Sequence, residues 1–258
     1  MNQWVVEGLH RGIKSTRYPA AEERAPGVSP GLPACPSAMS PEDACRLELR
    51  CPTGAIKAPN GNLEIDYRNC IHCFRCVRGP GVPMGWRHGY EWAYFASPDG
   101  AEAKRWPSGF AHALHIRVVD AGDCGACLNE VRQLNNPYYN MHRLGLFITP
   151  TPRQADILLV VGSVTDQMRL PLLEVYEAMP TPKLVMAVGA CALSCGAFGR
   201  SFVAGCGVGG VLPIDVEVPG FPPPPLAILH GLLVAAGRKA SASPSNASPI
   251  QGGSERVA

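Results

Sequence analysis

The sequence has no apolar run as long as the roughly 18 residues that a membrane-spanning helix needs. Met1 to Lys14 lack the apolar stretch of a secretory signal, so we expect neither an integral membrane protein nor a secreted one. Charge is also scarce: 17% of the 258 residues are charged, and 23 Lys plus Arg against 21 Asp plus Glu leave a net charge of +2. This balance gives no electrostatic footprint for nucleic acid.

Three catalytic motifs are also missing from the sequence. No G-x-G-x-x-G follows a predicted strand, no Walker A motif is present, and no nucleophile and base form a recognisable set. What the sequence does have is eleven cysteines. An odd count without an export signal favours metal ligation over a disulfide scaffold.

The order of apolar segments predicts an α/β fold. Three short β-rich runs, His115 to Asp120, Asp156 to Gly162 and Lys183 to Gly189, alternate with helical stretches such as Arg169 to Met179. This alternation predicts a mostly parallel sheet with helices on its faces. With the resemblances given below, the expected fold class is α/β, a flavodoxin-like parallel-sheet domain preceded by a small α+β ferredoxin-like domain. The predicted divisions are a lead-in arm (1–34), a ferredoxin-like domain (35–80), an aromatic docking linker (81–110), the α/β domain (111–238) and a disordered tail (239–258).

The first cysteine cluster is C-x2-C-x2-C at Cys70, Cys73 and Cys76, with Cys51-Pro52 upstream. Bacterial ferredoxins carry C-x2-C-x2-C-x3-C-P twice, and the cysteine before proline ligates the other run's cluster. This segment resembles a one-cluster ferredoxin, because Cys51, Cys70, Cys73 and Cys76 complete one [4Fe-4S] ligand set while the positions of the other set hold no cysteine. A zinc site is the alternative, although zinc modules usually pair C-x2-C with a second cysteine or histidine pair.

A second constellation follows the predicted strands. It comprises Cys124-x2-Cys127-x2-Glu130, the segment Gly189-Ala190-Cys191-Ala192, and Pro219-Gly220-Phe221-Pro222-Pro223. On these motifs, residues 112–237 resemble the small-subunit family of [NiFe] hydrogenases, especially the energy-converting type, and the homologous cluster-bearing subunit of complex I. The resemblance implies a second [4Fe-4S] cluster bound by Cys124, Cys127, Cys191 and a cysteine at position 221. It also implies that Glu130 is linked to proton movement, although a first-turn glutamate favoured by the helix dipole fits equally well.

The fourth ligand of this second cluster is open, because Phe221 cannot ligate iron. Cys206 and Cys195 are the candidate substitutes, and a cluster without a fourth thiolate is the remaining option.

The sequence therefore predicts a fusion of two electron-transfer modules without a catalytic centre of its own. We expect a subunit that relays electrons between a ferredoxin-type cluster and a proximal cluster beside a hydrogenase-type or complex I-type large subunit. Membrane subunits of the same complex would hold it at the inner face of the cell membrane, on the cytoplasmic side. The alternative is a structural or docking subunit whose second cluster site is degenerate.

Overall fold

The computed structural model describes residues 3–12, 14–36, 39–78, 84–97, 106 and 112–242. Its strands are β1 (Leu32–Ala34), β2 (Ile56–Lys57), β3 (Glu64–Ile65), β4 (Gly85–Arg87), β5 (Tyr94–Phe95), β6 (Leu114–Asp120), β7 (Leu146–Ile148), β8 (Ile157–Val161), β9 (Leu184–Val188) and β10 (Val216–Val218). Its α-helices are α1 (Gln3–Arg11), α2 (Pro41–Arg50), α3 (Ala126–Gln133), α4 (Asp166–Ala178), α5 (Ala190–Ser194) and α6 (Pro225–Ala235).

The main sheet has six strands in the order β5-β10-β9-β8-β6-β7. Five of them are parallel, and β5 pairs antiparallel with β10 at one edge. Counted along the chain, the parallel strands lie in the order 2-1-3-4-5, the order of flavodoxin-like doubly wound sheets. The predicted mostly parallel α/β sheet is therefore confirmed.

Burial explains why the central strands are apolar throughout. Alternate residues of β8 and β9 face two separate cores, one shared with α3 and α6 and the other with α4 and α5. A strand covered on both faces has no solvent side, so β8 and β9 carry no polar residue and are completely buried. This construction leaves the chemistry to the loops beyond the strand ends.

The N-terminal part contains two small antiparallel sheets, β1–β4 and β2–β3, with α2 beside them. Ser40 caps α2 by accepting a hydrogen bond from the backbone N–H of Asp43, and Pro41 occupies the first turn, where its missing N–H costs nothing. A small apolar cluster of Leu47, Ile56 and Met84 lies beneath the cysteine loops. Its assignment as a ferredoxin-like domain stays a prediction.

A buried carboxylate joins the N-terminal part to the main sheet. Glu217 of β10 is 4% exposed and accepts a hydrogen bond from the Tyr94 hydroxyl at 2.7 Å. The guanidinium Nε of Arg68 lies 3.3 Å from the same carboxylate oxygen. Three segments far apart in the sequence therefore meet at one side chain.

Two expectations differ from the structure. The helix expected from Arg169 begins earlier, at Asp166, because Thr165 already adopts the extended conformation of an N-cap. The tail expected to be disordered from residue 239 is bound at its start: the amine of Lys239 donates to Glu91 and the N–H of Ala242 to Ala93. Its remainder, 243–258, lies outside the described residues. Within the described part of the chain, no helix is long and apolar enough to span a bilayer.

The predicted lead-in arm packs partly on its own chain. Tyr18 is 1% exposed and makes an edge contact with Tyr90, with ring centroids 5.1 Å apart. Further along, the Trp86 indole N–H donates to the Pro30 carbonyl.

Candidate metal centres

Cys51 lies where α2 ends. It takes the extended conformation at the C-cap, and its N–H donates to the Glu48 carbonyl. The hydroxyl of Thr53 then donates to the Asn69 carbonyl at 2.7 Å, which ties the Cys51 turn to the residue before Cys70. One hydrogen bond therefore sets the position of Cys51 relative to the C-x2-C-x2-C loop.

The loop from Cys70 to Cys76 folds its three cysteines toward one pocket. His72 and Phe74 both have positive φ angles, 49° and 60°, which turn the backbone between successive cysteines. Cys51, Cys70, Cys73 and Cys76 together line one pocket. The structure thus brings all four residues of the first predicted ligand set around one space.

The pKa values of two of these thiols are raised by burial and by the neighbouring cysteines. Burial, the largest cause, and the charges of Cys76, Cys51 and Cys73 together raise the pKa of Cys70 to about 12. Burial also raises the pKa of Cys76 to about 11, with contributions from Cys73 and Cys51. Thiolates this crowded and buried need a compensating cation, and iron bound at the site would supply one.

His72 is buried in the wall of the same pocket, and burial lowers its pKa to about 4. Neither ring nitrogen has a hydrogen-bond partner among the described residues. A buried imidazole N–H without a partner is costly, and an acceptor in the pocket, such as a cluster sulfur, would satisfy it. Trp86 and Trp92 flank this ring at centroid distances of 6.5 and 6.3 Å.

The second set of cysteines lies beyond the carboxyl ends of β6 and β9. Cys124 is exposed in the loop after β6, whereas Cys127 in the first turn of α3 is buried. Cys191, in the first turn of α5 after β9, is also buried. The loop after β10 joins them, since the N–H of Ala190 donates to the Gly220 carbonyl at 2.8 Å.

Two glycines leave room for these sulfurs. A Cβ atom at Gly189 would lie 2.6 Å from Cys127 Sγ, and one at Gly196 would lie 3.0 Å from Cys191 Sγ. Gly189 also has φ 91° and ψ 155°, a backbone conformation essentially restricted to glycine. Any side chain at Gly189 would therefore fill the space that the Cys127 sulfur occupies.

Asp123 is the charged neighbour of this second set. Burial raises the pKa of Cys127, and the largest electrostatic contribution comes from Asp123, followed by Cys191 and Cys124. Burial likewise raises the pKa of Cys191 to about 11, with contributions from Cys124 and Asp123. The three predicted thiol ligands and one carboxylate therefore lie within electrostatic reach of one another.

The two candidate substitutes for a cysteine at position 221 differ in their distance from the second set: the charge of Cys195 contributes to the raised pKa of Cys191, whereas that of Cys206 does not. Cys195 is buried and donates its S–H to the Gly205 carbonyl at 2.6 Å, and its pKa responds to Cys206. Cys206 is exposed and is not among the residues whose charge raises the pKa of Cys127 or Cys191. Phe221 is half-buried in the loop after β10. Ligation by Cys206 stays a prediction, and the structure does not bring it together with the other three.

Glu130 lies on α3 one turn beyond Cys127. It is half-buried, burial raises its pKa, and its charge contributes to the raised pKa of Cys127. The carboxylate is therefore within electrostatic reach of the second set, and its link to proton movement stays a prediction.

The two sets of cysteines differ in what they offer a [4Fe-4S] cluster. Among the described residues, no three His, Cys, Asp or Glu side chains are arranged to hold a single metal ion. The first set nevertheless fits a cluster, because four thiols and an unpartnered imidazole line one pocket. The second set offers three thiols, the space left by two glycines, and a buried carboxylate oxygen of Asp123 without a partner.

The two sets are connected by a short hydrogen-bonded bridge. The hydroxyl of Ser194 in α5 donates to the Arg68 carbonyl at 2.8 Å and lies 3.1 Å from the Ala190 carbonyl. Arg68 is two residues before Cys70, and Ala190 directly precedes Cys191. A second connection runs from the His72 ring to Trp92, whose indole N–H donates to the Pro219 carbonyl at 2.8 Å.

Sequence reasoning missed Ser194 and Glu217, whereas Trp92 belongs to the aromatic docking linker predicted for 81–110. Ser194 and Glu217 act through partners distant in the sequence, and no spacing rule identifies such pairs. Asp123 was also missed. Its position directly before Cys124 was the one signal in the sequence that marked it as a possible oxygen ligand.

Comparison with known proteins now places the chain in a family. Residues 124–235 match the family model described as NADH ubiquinone oxidoreductase, 20 Kd subunit. An uncharacterized protein of Methanocaldococcus jannaschii is 44% identical over 124 residues, a match that covers 48% of this chain and 83% of that protein. The chain belongs to the NADH ubiquinone oxidoreductase 20 Kd subunit family.

Other members of the 20 Kd subunit family carry descriptive names. Formate hydrogenlyase subunit 7 of Escherichia coli is 40% identical over 125 residues, covering 48% of this chain and 49% of that protein. The probable membrane-bound hydrogenase subunit mbhJ of Pyrococcus furiosus is 42% identical over 117 residues, covering 45% of this chain and 70% of that protein. The chain thus spans about half the length of the first of these relatives.

A solved structure, of a membrane-bound sulfane sulfur reductase from an archaeal respiratory membrane complex, aligns with a TM-score of 0.44 and 27% identity. That alignment covers 52% of this chain and 76% of the other. Members of the 20 Kd subunit family are subunits of oxidoreductase complexes and bind [4Fe-4S] clusters. The matched segment contains Cys124, Cys127 and Cys191 and lies C-terminal to the first set of cysteines.

Proposed function

We propose that this chain is an iron–sulfur electron-transfer subunit of a membrane-associated, hydrogenase-like or complex I-like oxidoreductase. Cys51, Cys70, Cys73 and Cys76 would hold a ferredoxin-type cluster, and Cys124, Cys127 and Cys191 would hold a proximal cluster. A partner large subunit would carry the catalytic centre, and membrane subunits would hold the assembly at the inner face of the membrane. A bound [4Fe-4S] cluster supplies one-electron redox chemistry.

The observation that carries the proposal is the Ser194 bridge. Its hydroxyl contacts the backbone beside Cys70 and the backbone beside Cys191, so both thiol sets lie at the two ends of one hydrogen-bonded path. Cys127, Cys191 and His72 are buried. Glu217 contacts both Arg68 and Tyr94 and so links the two parts.

The two-centre arrangement is tested by the cysteines of the first site. Cys51→Ser should remove about four irons per chain and the first EPR signal, and should leave the second signal in place. Cys45→Ser is the matched control, because Cys45 is an exposed thiol of α2 outside the pocket. Iron and acid-labile sulfide content of anaerobically purified protein, measured beside EPR of the reduced form, gives the result. Loss of both signals together in Cys51→Ser would contradict two independent centres.

A docking subunit with a degenerate second site is the other candidate function, and Phe221 is the observation that favours it. In that case the wild-type chain would contain about four irons and a single ferredoxin-like signal. The same protein bound to its large subunit would give the same count. About eight irons per wild-type chain would exclude this alternative.

A further inference from the structure

We propose that the carboxylate of Asp123 is the fourth ligand of the second cluster, in place of the thiolate that Phe221 cannot supply. The proposal rests on the proposed function, because it requires a cluster at Cys124, Cys127 and Cys191. It assigns a mixed ligand set of three thiolates and one oxygen to this centre.

The geometry of Asp123 separates the tasks of its two oxygens. Oδ2 accepts hydrogen bonds from the backbone N–H groups of Gly125 and Leu128, both at 3.0 Å. These bonds fix the carboxylate at the start of α3. Oδ1 is buried and has no hydrogen-bond partner among the described residues. One oxygen therefore orients the group, and the other is free to bind.

A buried carboxylate oxygen without a partner needs an explanation. Desolvating such an oxygen is costly, and buried acceptors in folded proteins almost always have a donor or a cation. The backbone of Asp123 is held in place, so the residue has little room to turn Oδ1 toward another donor. Asp120 accepts a hydrogen bond from the Asp123 N–H at 2.7 Å, and a Cβ atom at Gly162 would lie only 2.4 Å from the same nitrogen. An iron atom bound to Oδ1 would provide the missing partner.

The carboxylate of Asp123 lies within electrostatic reach of the predicted ligands. Asp123 directly precedes Cys124, and its charge acts on both Cys127 and Cys191. Among the residues described, these are the two buried thiols of the set, and Cys124 completes it. Carboxylate oxygen is an accepted iron ligand, although it is harder than thiolate. The iron held by Asp123 should therefore be the most easily lost of the four.

Mild oxidation of the cluster should release the iron that Asp123 holds. With a [4Fe-4S]2+ cluster held by Asp123 and the three cysteines, ferricyanide would remove one electron and Asp123 would release its iron as Fe2+, so that Cys124, Cys127 and Cys191 would retain a [3Fe-4S]+ core. Charge balances, because the products carry +1 and +2 and one electron passes to ferricyanide.

The experiment compares iron content and EPR of Asp123→Asn, Asp123→Cys and wild type. Asn retains an oxygen for the Gly125 and Leu128 N–H groups but is a poor iron ligand. We expect Asp123→Asn to lose about one iron per chain and to give a [3Fe-4S]+ signal after mild oxidation. Asp123→Cys should retain about eight irons and resist the loss that ferricyanide causes in the wild type.

Two control variants separate ligation from loop stability. Asp120→Asn changes a neighbouring carboxylate that also accepts backbone N–H bonds, from Gly122 and Asp123, and should keep the wild-type spectrum. Cys206→Ser should keep it as well. An unchanged iron content in Asp123→Asn, or loss of iron in Cys206→Ser, would overturn the assignment of Asp123 alone. A wild-type chain with about four irons, all removed by Cys51→Ser, would overturn the second centre and with it any ligand role of Asp123.

Discussion

Replacing Gly189 by alanine should destroy the second centre and spare the first. The new Cβ would lie 2.6 Å from Cys127 Sγ, so the sulfur would have to move about 1 Å to reach ordinary contact distance. Crowding of this kind costs about 1–3 kcal/mol in a packed interior. The backbone conformation at Gly189 adds about 1–3 kcal/mol for any residue other than glycine. We expect the free energy of unfolding to fall by about 2–6 kcal/mol in total.

The assay measures iron content, EPR and denaturant unfolding on the same Gly189→Ala preparation. The first centre serves as the internal control for folding, since its thiols lie outside the clash. Gly237→Ala is the matched variant: Gly237 has φ +67° with no atom within 4 Å of a new Cβ, so it bears only the left-handed penalty of about 1–2 kcal/mol. A Gly189→Ala protein with both EPR signals and wild-type stability would refute the placement of Cys127 against Gly189.

Three further predictions concern buried polar groups. Tyr94→Phe leaves the buried carboxylate of Glu217 without its hydroxyl donor and should lower the free energy of unfolding by about 1–3 kcal/mol in denaturant titrations, whereas an unchanged midpoint would argue against the bond. Burial lowers the pKa of His230, whose Nδ1 accepts from the Ala93 N–H, so the folded protein keeps this ring neutral while the unfolded chain binds a proton below about pH 6.5. The contribution of His230 to the free energy of unfolding should be fully present above about pH 6.5 and should be lost as the pH falls toward the lowered pKa of the folded protein. The drop in unfolding midpoint between pH 8 and pH 5 should therefore be smaller for His230→Gln than for the wild type. His72→Leu should lower the potential of the first centre by roughly 20–60 mV in an EPR-monitored redox titration, because a net hydrogen bond of about 0.5–1.5 kcal/mol to sulfur stabilises the reduced state; an unshifted potential would exclude that bond.

The sequence predicted the parts of the fold that obey local rules. Strands β6, β8 and β9 lie within a residue or so of their expected bounds. Strands β8 and β9 are fully buried parallel strands, which leave unbroken apolar runs in the sequence. The short strands β5 and β10 were not predicted, since their pairing depends on partners far away in the chain. The same reasoning holds for the tail, where Lys239 and Ala242 bind the segment around β5 despite a composition typical of disorder.

In the candidate sites too, the residues that follow a local spacing rule were predicted and those that depend on tertiary contacts were not. Cys51, Cys70, Cys73 and Cys76 were predicted from spacing alone, and the structure arranges them around one pocket. The fourth position of the second set could not be found from spacing, because it required knowing that one oxygen of Asp123 is buried and unpaired while Cys206 lies beside Cys195. Burial and orientation of a polar atom are tertiary properties that a sequence pattern does not encode.

The pairing of β5 with β10 has a consequence for the order in which the protein matures during synthesis. Tyr94 precedes Glu217 by 123 residues, so the anchor that joins the cysteine-rich N-terminal part to the sheet cannot form until most of the chain has left the ribosome. Cys51, Cys70, Cys73 and Cys76 all emerge before β6, whereas Cys191 and the Pro219 loop emerge near the end. Because domains fold largely as they are made, the first site becomes available to iron delivery earlier than the second. The contact between Tyr94 and Glu217 can form only after both parts have been synthesised.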